Sequence, residues 1–359
     1  MYQQLIDHLR NNRIVLLGMG REGHSTYNFI RRYLPEQKLI IADAKQVELD
    51  NDPNVEFVCG DGYLGAIDRA DIVIKTPGIP LLHFKRPQGV EITCQTDLFL
   101  RFSGFTCVGV TGTKGKTTTS TLIYSMLRVA GKEACLIGNM GYPVFDNIED
   151  CAGEIAVIEM SSHQLEFTSR SPHIAVLTNI YPEHLDHYDS FECYVGAKLN
   201  IVRNQSKGDT FIYNSDQGLD GFFDLSKYPG EAVGVSVHTP GAEKYRDINS
   251  HLLGEHNIQN CMFAAEAARR LGVSDEDIMK ALKNYEGIEH RMEYFATVKG
   301  IKFVNDCIAT IPHSVMCAVE ALGDVDTLIF GGMDRGLDYS AFEKALEKSS
   351  IRKLVCLPD

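Results

Sequence analysis

Apolar residues in the first hundred positions fall into short, mainly apolar runs, at 13–17, 38–42, 55–59 and 71–75, with helix-compatible stretches between several of them. A strand covered on both faces shows such a run, whereas a strand with a solvent face alternates, so these runs predict a largely parallel sheet with helices over it. The pattern resumes after residue 105. Strands are expected at 106–110, 154–158, 174–178 and 210–213, and apolar residues at helical spacing predict helices at 116–129, 191–204 and 256–271. A third stretch, beginning near Met292, has strand candidates at 302–304, 327–330 and 353–357. The expected class is α/β in three units, residues 1–102, 103–291 and 292–359. The last unit stops directly after a strand with no closing helix, which would leave a sheet face uncovered, and the chain is therefore read as truncated at its C-terminus.

The 359 residues are enough for two or three such units, and 44% hydrophobic with 23% charged residues is ordinary for a globular protein. A net charge of −13 argues against nucleic acid or an anionic membrane as partner, so any phosphate must be met by local cations. No basic-then-apolar leader opens the chain and no apolar run approaches the ~20 residues of a membrane span, which predicts a soluble, cytoplasmic protein without membrane insertion. The ten cysteines include no Cys-x-x-Cys pair, and Cys59, Cys107 and Cys356 sit inside apolar strand-like runs. They are expected as reduced core residues rather than disulfides or zinc ligands.

The strand at 106–110 runs into Thr111-Gly112-Thr113-Lys114-Gly115-Lys116-Thr117-Thr118 and then into a helix. Glycines in such a loop let several N–H groups point at one anion, the helix N-terminus adds partial positive charge, Lys116 adds a full one, and the Thr117 hydroxyl suits Mg²⁺. Val110 stands where the strict phosphate-loop pattern has glycine, so the loop is a variant. Gly18-Met19-Gly20-Arg21-Glu22-Gly23 follows the first strand and Asp43 closes the second, a pattern shared by dinucleotide-binding turns and by turns that serve packing alone. Thr76-Pro77-Gly78 ends another strand near the face where ligands of open α/β sheets bind. Glu159 ends a buried strand, where the acid on the Mg²⁺ side of a phosphate loop belongs, although glutamates end many strands. Beyond Thr178-Asn179 a loop carries Glu183-His184-Leu185-Asp186-His187, open to metal contact or to plain solvation. Lys198, on the next helix, reads by composition as a surface lysine. The run Gly254-Glu255-His256-Asn257-Ile258-Gln259-Asn260 opens a helix with amides that suit a base or ribose, or capping.

Taken together, the 111–118 loop, Glu159-Met160-Ser161-Ser162-His163-Gln164, Asn179, Glu183-His184, Asp186-His187, Lys198, the 254–260 run and His290-Arg291 resemble the Mur ligases, ATP-dependent amide-forming ligases of peptidoglycan precursor synthesis. The N-terminal glycine turn, Thr76-Pro77-Gly78 and Gly138-Asn139-Met140-Gly141 are similar to those of the members that add glutamate to UDP-N-acetylmuramoyl-L-alanine. The resemblance covers essentially the whole chain. It implies a Rossmann-like N-terminal unit for the UDP-sugar, a central unit like a phosphate-loop ATPase, and a partial Rossmann-like C-terminal unit for the amino acid. It assigns Gly18, Gly20, Arg21, Glu22, Gly23, Asp43, Thr76, Pro77, Gly78, Asn139, Ser161, Gln164 and His184 to the UDP-sugar. To ATP it assigns Gly112, Thr113, Lys114, Gly115, Lys116, Thr117, Thr118, Asn260, Arg291 and Asp306. Two Mg²⁺ ions would be held, one by Thr117 and Glu159 and the other by His184. Lys198 matches the family lysine that becomes carbamoylated and so becomes an anionic metal ligand, where an ammonium would repel the metal. Lys116, Lys198 and His184 are the expected catalytic residues, in a monomer whose partners are the UDP-sugar, glutamate and ATP.

The implied chemistry is attack of the substrate's alanyl carboxylate on the ATP γ-phosphate, followed by displacement of phosphate from the acyl phosphate by the glutamate amine. In one respect the sequence departs from the pattern. Glutamate-adding members usually carry Asn-Asp-Ser-Lys-Ala-Thr-Asn where this chain has Asn305-Asp306-Cys307-Ile308-Ala309-Thr310-Ile311. Ile308 cannot replace an ammonium as a carboxylate partner, and segments of this kind look like a branch that includes an L-glutamate-adding enzyme. D-glutamate is the first expectation and L-glutamate the alternative. The family's Ser-Pro segment that closes the site is absent, so residues 1–359 are expected to ligate poorly. A dehydrogenase would leave Gly115-Lys116-Thr117 idle, and ligases like folylpolyglutamate synthase generally lack the UDP-binding unit. A non-catalytic Mur-like binding protein is opposed by the joint presence of Lys116, Glu159, His184 and Lys198.

Overall fold

The computed structural model describes every residue except 1, 50, 82, 83, 86, 139–142, 147, 149, 150, 152–154, 186, 220, 310, 311, 333–338, 358 and 359, and the side chains of 313 and 341. Asn139, Met140, Gly141, Asp186, Thr310 and Ile311, all quoted from the sequence, lie outside the described residues.

Five strands form the first sheet: β1 (Ile14–Leu17), β2 (Leu39–Asp43), β3 (Val55–Cys59), β4 (Ile72–Lys75) and β5 (Glu91–Thr93). Their order is β3-β2-β1-β4-β5 and every pair is parallel. Unbroken apolar β1, Ile-Val-Leu-Leu, is buried along its whole length, as a strand covered on both faces must be. From β1 the chain winds outward through β2 and β3 and then crosses back to β4. That reversal opens a crevice beyond the C-terminal ends of β1 and β4, where open α/β sheets take their ligands.

The second sheet repeats the device with β6 (Thr106–Thr111), β7 (Ala134–Gly138), β8 (Ile155–Glu159), β9 (Ile174–Leu177), β10 (Thr210–Asn214) and β11 (Glu231–Val235), again all parallel, in the order β11-β10-β9-β6-β8-β7. Strand β6 is the reversal point, with β8 on one side and β9 on the other, so the loop leaving β6 lies over the crevice. The following helix, Lys116–Val129, buries Leu122, Ile123, Met126 and Leu127 in one cluster with Phe263 and Ala264 of helix Glu255–Arg270 and Leu282 of helix Asp275–Lys283. The two adjacent pairs, Leu122-Ile123 and Met126-Leu127, recur one helical turn apart and form the apolar stripe that sequence periodicity reads as a helix.

Further along, β12 (Glu293–Val298) pairs antiparallel with β13 (Ile301–Asn305), and β14 (Thr327–Gly331) pairs parallel with β15 (Lys353–Leu357), in two separate two-stranded sheets. Among the described residues no helix is long and apolar enough to cross a membrane.

The cysteines depart from expectation. Cys135 on β7 and Cys151, in the segment that returns to β8, are joined as a disulfide with their Cα atoms 5.2 Å apart. Neighbouring parallel strands bring together two residues that look unrelated in the sequence, sixteen positions apart. Cys107 is a buried free thiol as expected, whereas Cys59 is half-buried and Cys356 is exposed, because β15 shows its residues to solvent.

Candidate active site

Gly112 (φ +152°) and Gly115 (φ +84°) bend the loop between β6 and helix Lys116–Val129, and both sit where a side chain has no room. A Cβ on Gly112 would lie 1.9 Å from Thr178 Oγ1, and one on Gly115 would lie 2.4 Å from Asn260 Oδ1. Asn179, just beyond β9, clamps the loop: its carbonyl accepts from the Thr113 N–H at 2.9 Å and its Oδ1 from the Lys114 N–H at 2.8 Å. Thr113 Oγ1 lies 3.0 Å from the Tyr194 hydroxyl.

Two lysines turn onto this loop from different elements. Lys116 donates to the carbonyls of Gly112 and Thr113, both at 3.1 Å, and Lys198 donates to the Gly112 carbonyl at 2.8 Å. Lys198 is 2% exposed and lies over the Tyr194 ring at 4.7 Å, so the surface position read from composition is overturned. The helix Phe191–Arg203 that carries it is buried on most sides, at Tyr194, Val195, Ala197, Leu199, Ile201 and Val202. Burial first, and Lys116 second, push the Lys198 ammonium well below the usual lysine range; burial likewise lowers Lys116, against the pull of Glu159 and Glu183. Lys114 reaches away from the loop carbonyls to Glu183 at 2.9 Å.

Glu159 ends β8 in register with Val110, beside the start of the loop, and is 3% exposed. His184 takes a left-handed backbone (φ +58°) in the loop beyond Asn179, its ring 4.8 Å from His163 and 6.3 Å from Tyr194. His187 is buried rather than solvated, with Nε2 3.2 Å from Glu166 Oε2. Burial, reinforced by His187 and His184, pushes the His163 imidazole down to about 3. Of the four residues expected at metal, only Glu159 and His184 are carboxylate or imidazole, and no cluster of three or more His, Cys, Asp or Glu suited to a metal occurs among the described residues.

Two cavities flank this centre. The first, of about 510 Å³, occupies the crevice of the β1 sheet. Gly18, Gly20, Arg21 and Glu22 line one side, Asp43 another, and Thr76, Pro77 and Gly78 a third, with Gly138 and Pro143 from the second sheet's side. Eight of the expected substrate residues thus meet here. Asp43 also shapes the turn by accepting from the Met19 N–H at 2.8 Å. Gly23 is not in the wall: its missing Cβ lets the helix sit against the Gly18 carbonyl, which a Cβ would meet at 2.2 Å. Ser161 and Gln164 are likewise outside the wall, forming a capping box over the short helix Ser162–Leu165. Gln164 then donates to Glu22 Oε1 at 2.8 Å, and burial raises the Glu22 carboxyl.

The second cavity, of about 160 Å³, is bounded by Lys114, Gly115 and Thr118 on one side and by Asn260, Arg291 and Asp306 on the other. Burial raises the Asp306 carboxyl, which accepts from the Met292 N–H at 3.0 Å. Ile308 borders the same space. Thr117 and Lys116 are not in its wall. Sequence reasoning did not single out Tyr285, which bounds the cavity and holds Thr121 Oγ1 at 2.7 Å, or Tyr194 under Lys198. Tyr285 lies just beyond helix Asp275–Lys283 and Tyr194 among apolar helix positions, and neither carries a local signal of such a role.

Residues 110–227 match the Mur ligase middle domain family. The UDP-N-acetylmuramoylalanine–D-glutamate ligase of Pelodictyon phaeoclathratiforme is 31% identical over 383 residues, covering 95% of this chain and 82% of that protein. The enzyme of the same name from Ligilactobacillus salivarius is also 31% identical, covering 98% of this chain and 82% of that protein. Among solved structures, MurF ligase from Thermotoga maritima in complex with ADP superposes with a TM-score of 0.59 at 16% identity, covering 99% of this chain and 87% of that one. The UDP-N-acetylmuramate-alanine ligase MurC of Thermotoga maritima gives 0.59 at 16% identity, over 97% of this chain and 91% of that one. At such identities the superpositions speak for the fold: parallel α/β sheets in the arrangement of these ligases.

Proposed function

The chain belongs to the Mur ligase family, and we propose that it is an ATP-dependent ligase that joins D-glutamate to UDP-N-acetylmuramoyl-L-alanine through an acyl phosphate, in peptidoglycan precursor synthesis. The observation that carries this reading is the meeting of Lys116, Lys198 and Glu159 at the mouth of β6, between one cavity suited to a nucleotide and a separate one suited to a nucleotide-sugar. In this reading the three units are those of residues 1–102, 103–291 and 292–359. The β1 crevice takes the uridine nucleotide, and the loop with Asn260, Arg291 and Asp306 takes ATP.

Lys116 offsets charge on the transferring phosphoryl group, and Asn179 fixes the loop that carries it by accepting from the Thr113 and Lys114 N–H groups. The donor set fits Mg²⁺: hard oxygens from Glu159 and the Thr117 hydroxyl beside a phosphate cradle that a Cβ would fill. These two residues, with His184 and a carbamoylated Lys198, are the proposed holders of two ions. The metal supplies charge neutralisation of the phosphates when bound. Crowding of two lysines onto one carbonyl supports the carbamate, since it converts the second cation into an anion.

Ile308 favours a second reading, in which the added amino acid is L-glutamate: an aliphatic side chain stands where D-glutamate-adding relatives are expected to place an ammonium. Phosphate release from ATP and UDP-N-acetylmuramoyl-L-alanine, with D- and L-glutamate in parallel, separates the two.

A further inference from the structure

Lys75 ends the apolar strand β4 one residue before the Thr76-Pro77-Gly78 turn, yet it takes no part in the wall of the 510 Å³ cavity. Its side chain is 1% exposed. The ammonium lies 3.4 Å from the Pro77 carbonyl, 3.7 Å from Glu166 Oε2 and 5.0 Å from the centre of the Phe167 ring. Glu166 follows the helix Ser162–Leu165 in the neighbouring sheet's layer, and the same oxygen lies 3.2 Å from His187 Nε2. The His187 N–H in turn donates to the His184 carbonyl at 3.0 Å. One carboxylate oxygen therefore joins the turn that walls the first cavity to the loop that holds His184. The Gln164–Glu22 contact crosses the same seam from two residues earlier in the chain.

Burying a lysine and a carboxylate costs several kcal/mol per ion, and apolar residues of similar volume commonly fill such a space as well or better. Stability alone gives this seam no reason to carry an ion pair. We propose that Lys75 and Glu166 form a positioning pair that keeps the Thr76-Pro77-Gly78 turn and the His184 loop in register, so that filling the uridine-nucleotide cavity sets the geometry at the reacting end. The proposal rests on the ligase reading above for its kinetic consequence, but its structural consequence is measurable without turnover.

The test uses Lys75→Met, Glu166→Gln and the double variant. Each single change leaves one buried charge or polar partner uncompensated and lowers the thermal midpoint; the double change removes both charges and recovers most of that loss. A positioning pair predicts that kcat falls in all three variants by between roughly ten- and a hundredfold, the scale on which small misplacements act, with KM for the uridine substrate within about twofold. It also predicts that adding UDP-N-acetylmuramoyl-L-alanine slows amide exchange at His187 and Tyr188 in the wild type and not in the double variant. Recovery of kcat together with stability in the double variant would overturn the proposal, as would equal exchange protection in both proteins. If the wild type shows no ligase turnover, the functional reading fails and the exchange comparison still decides the coupling.

Discussion

Lys116 and Lys198 donate to the same oxygen, the carbonyl of Gly112, from 3.1 and 2.8 Å. Burial is the first reason both ammoniums are held below the usual lysine range, and repulsion from Lys116 adds to it at Lys198. Anions relieve that repulsion: a triphosphate at Lys116, and a carbamate in place of the charge on Lys198.

Replacing Lys116 by Ala removes one of the two cations on the Gly112 carbonyl without touching the β1 crevice. We expect kcat for ADP formation to fall on the order of 10²–10³-fold or more, while UDP-sugar affinity stays within about twofold. ADP release and calorimetric titration report the two quantities separately, and substantial turnover would contradict the assignment.

Lys198→Ala is expected to be inactive and to regain part of its activity in millimolar-range formate or acetate, which place a carboxylate oxygen where the carbamate stood. Full activity of this variant without added acid would refute the carbamate.

Gly115→Ala forces an alanine into φ +84° and sets its Cβ 2.4 Å from Asn260 Oδ1. The left-handed backbone costs about 1–2 kcal/mol, and the displaced Asn260 should weaken ATP binding by roughly tenfold. Gly131→Ala is the control: its φ is +70° but nothing lies within 4 Å of the added carbon, so stability falls while nucleotide affinity holds. Thermal unfolding and nucleotide titration of both variants test the distinction.

The central parallel strands were legible because burial on both faces leaves apolar runs, as in β1 and β4; β3 and β15, far more open, also fall on the expected bounds. Strand β5 was missed because three residues carry no pattern, and β11 because Glu-Ala-Val-Gly-Val lies largely open at the sheet edge. The 111–118 loop was legible because glycine, lysine and threonine must there sit at fixed local spacing. Lys198 was misread by composition because its burial comes from a helix packed on most sides, a tertiary fact that one residue does not announce. Lys75 and Glu166 are 91 positions apart, and only the docking of two sheets brings them together. The lysine that closes an otherwise apolar strand was the available hint.

The Cys135–Cys151 disulfide closes a loop of sixteen positions, for which chain entropy gives about 3 kcal/mol of stabilisation. The oxidised protein should therefore melt at a higher temperature than the protein in dithiothreitol. Cys151→Ser should melt at one temperature in both conditions; a wild type indifferent to reductant would remove the disulfide from the account.

Phosphate release measured with ATP, UDP-N-acetylmuramoyl-L-alanine and either D- or L-glutamate tests the central claim most directly. The account predicts release that requires the UDP-sugar and is faster with D-glutamate. No release with either amino acid would contradict the ligase assignment, and release confined to L-glutamate would contradict the substrate.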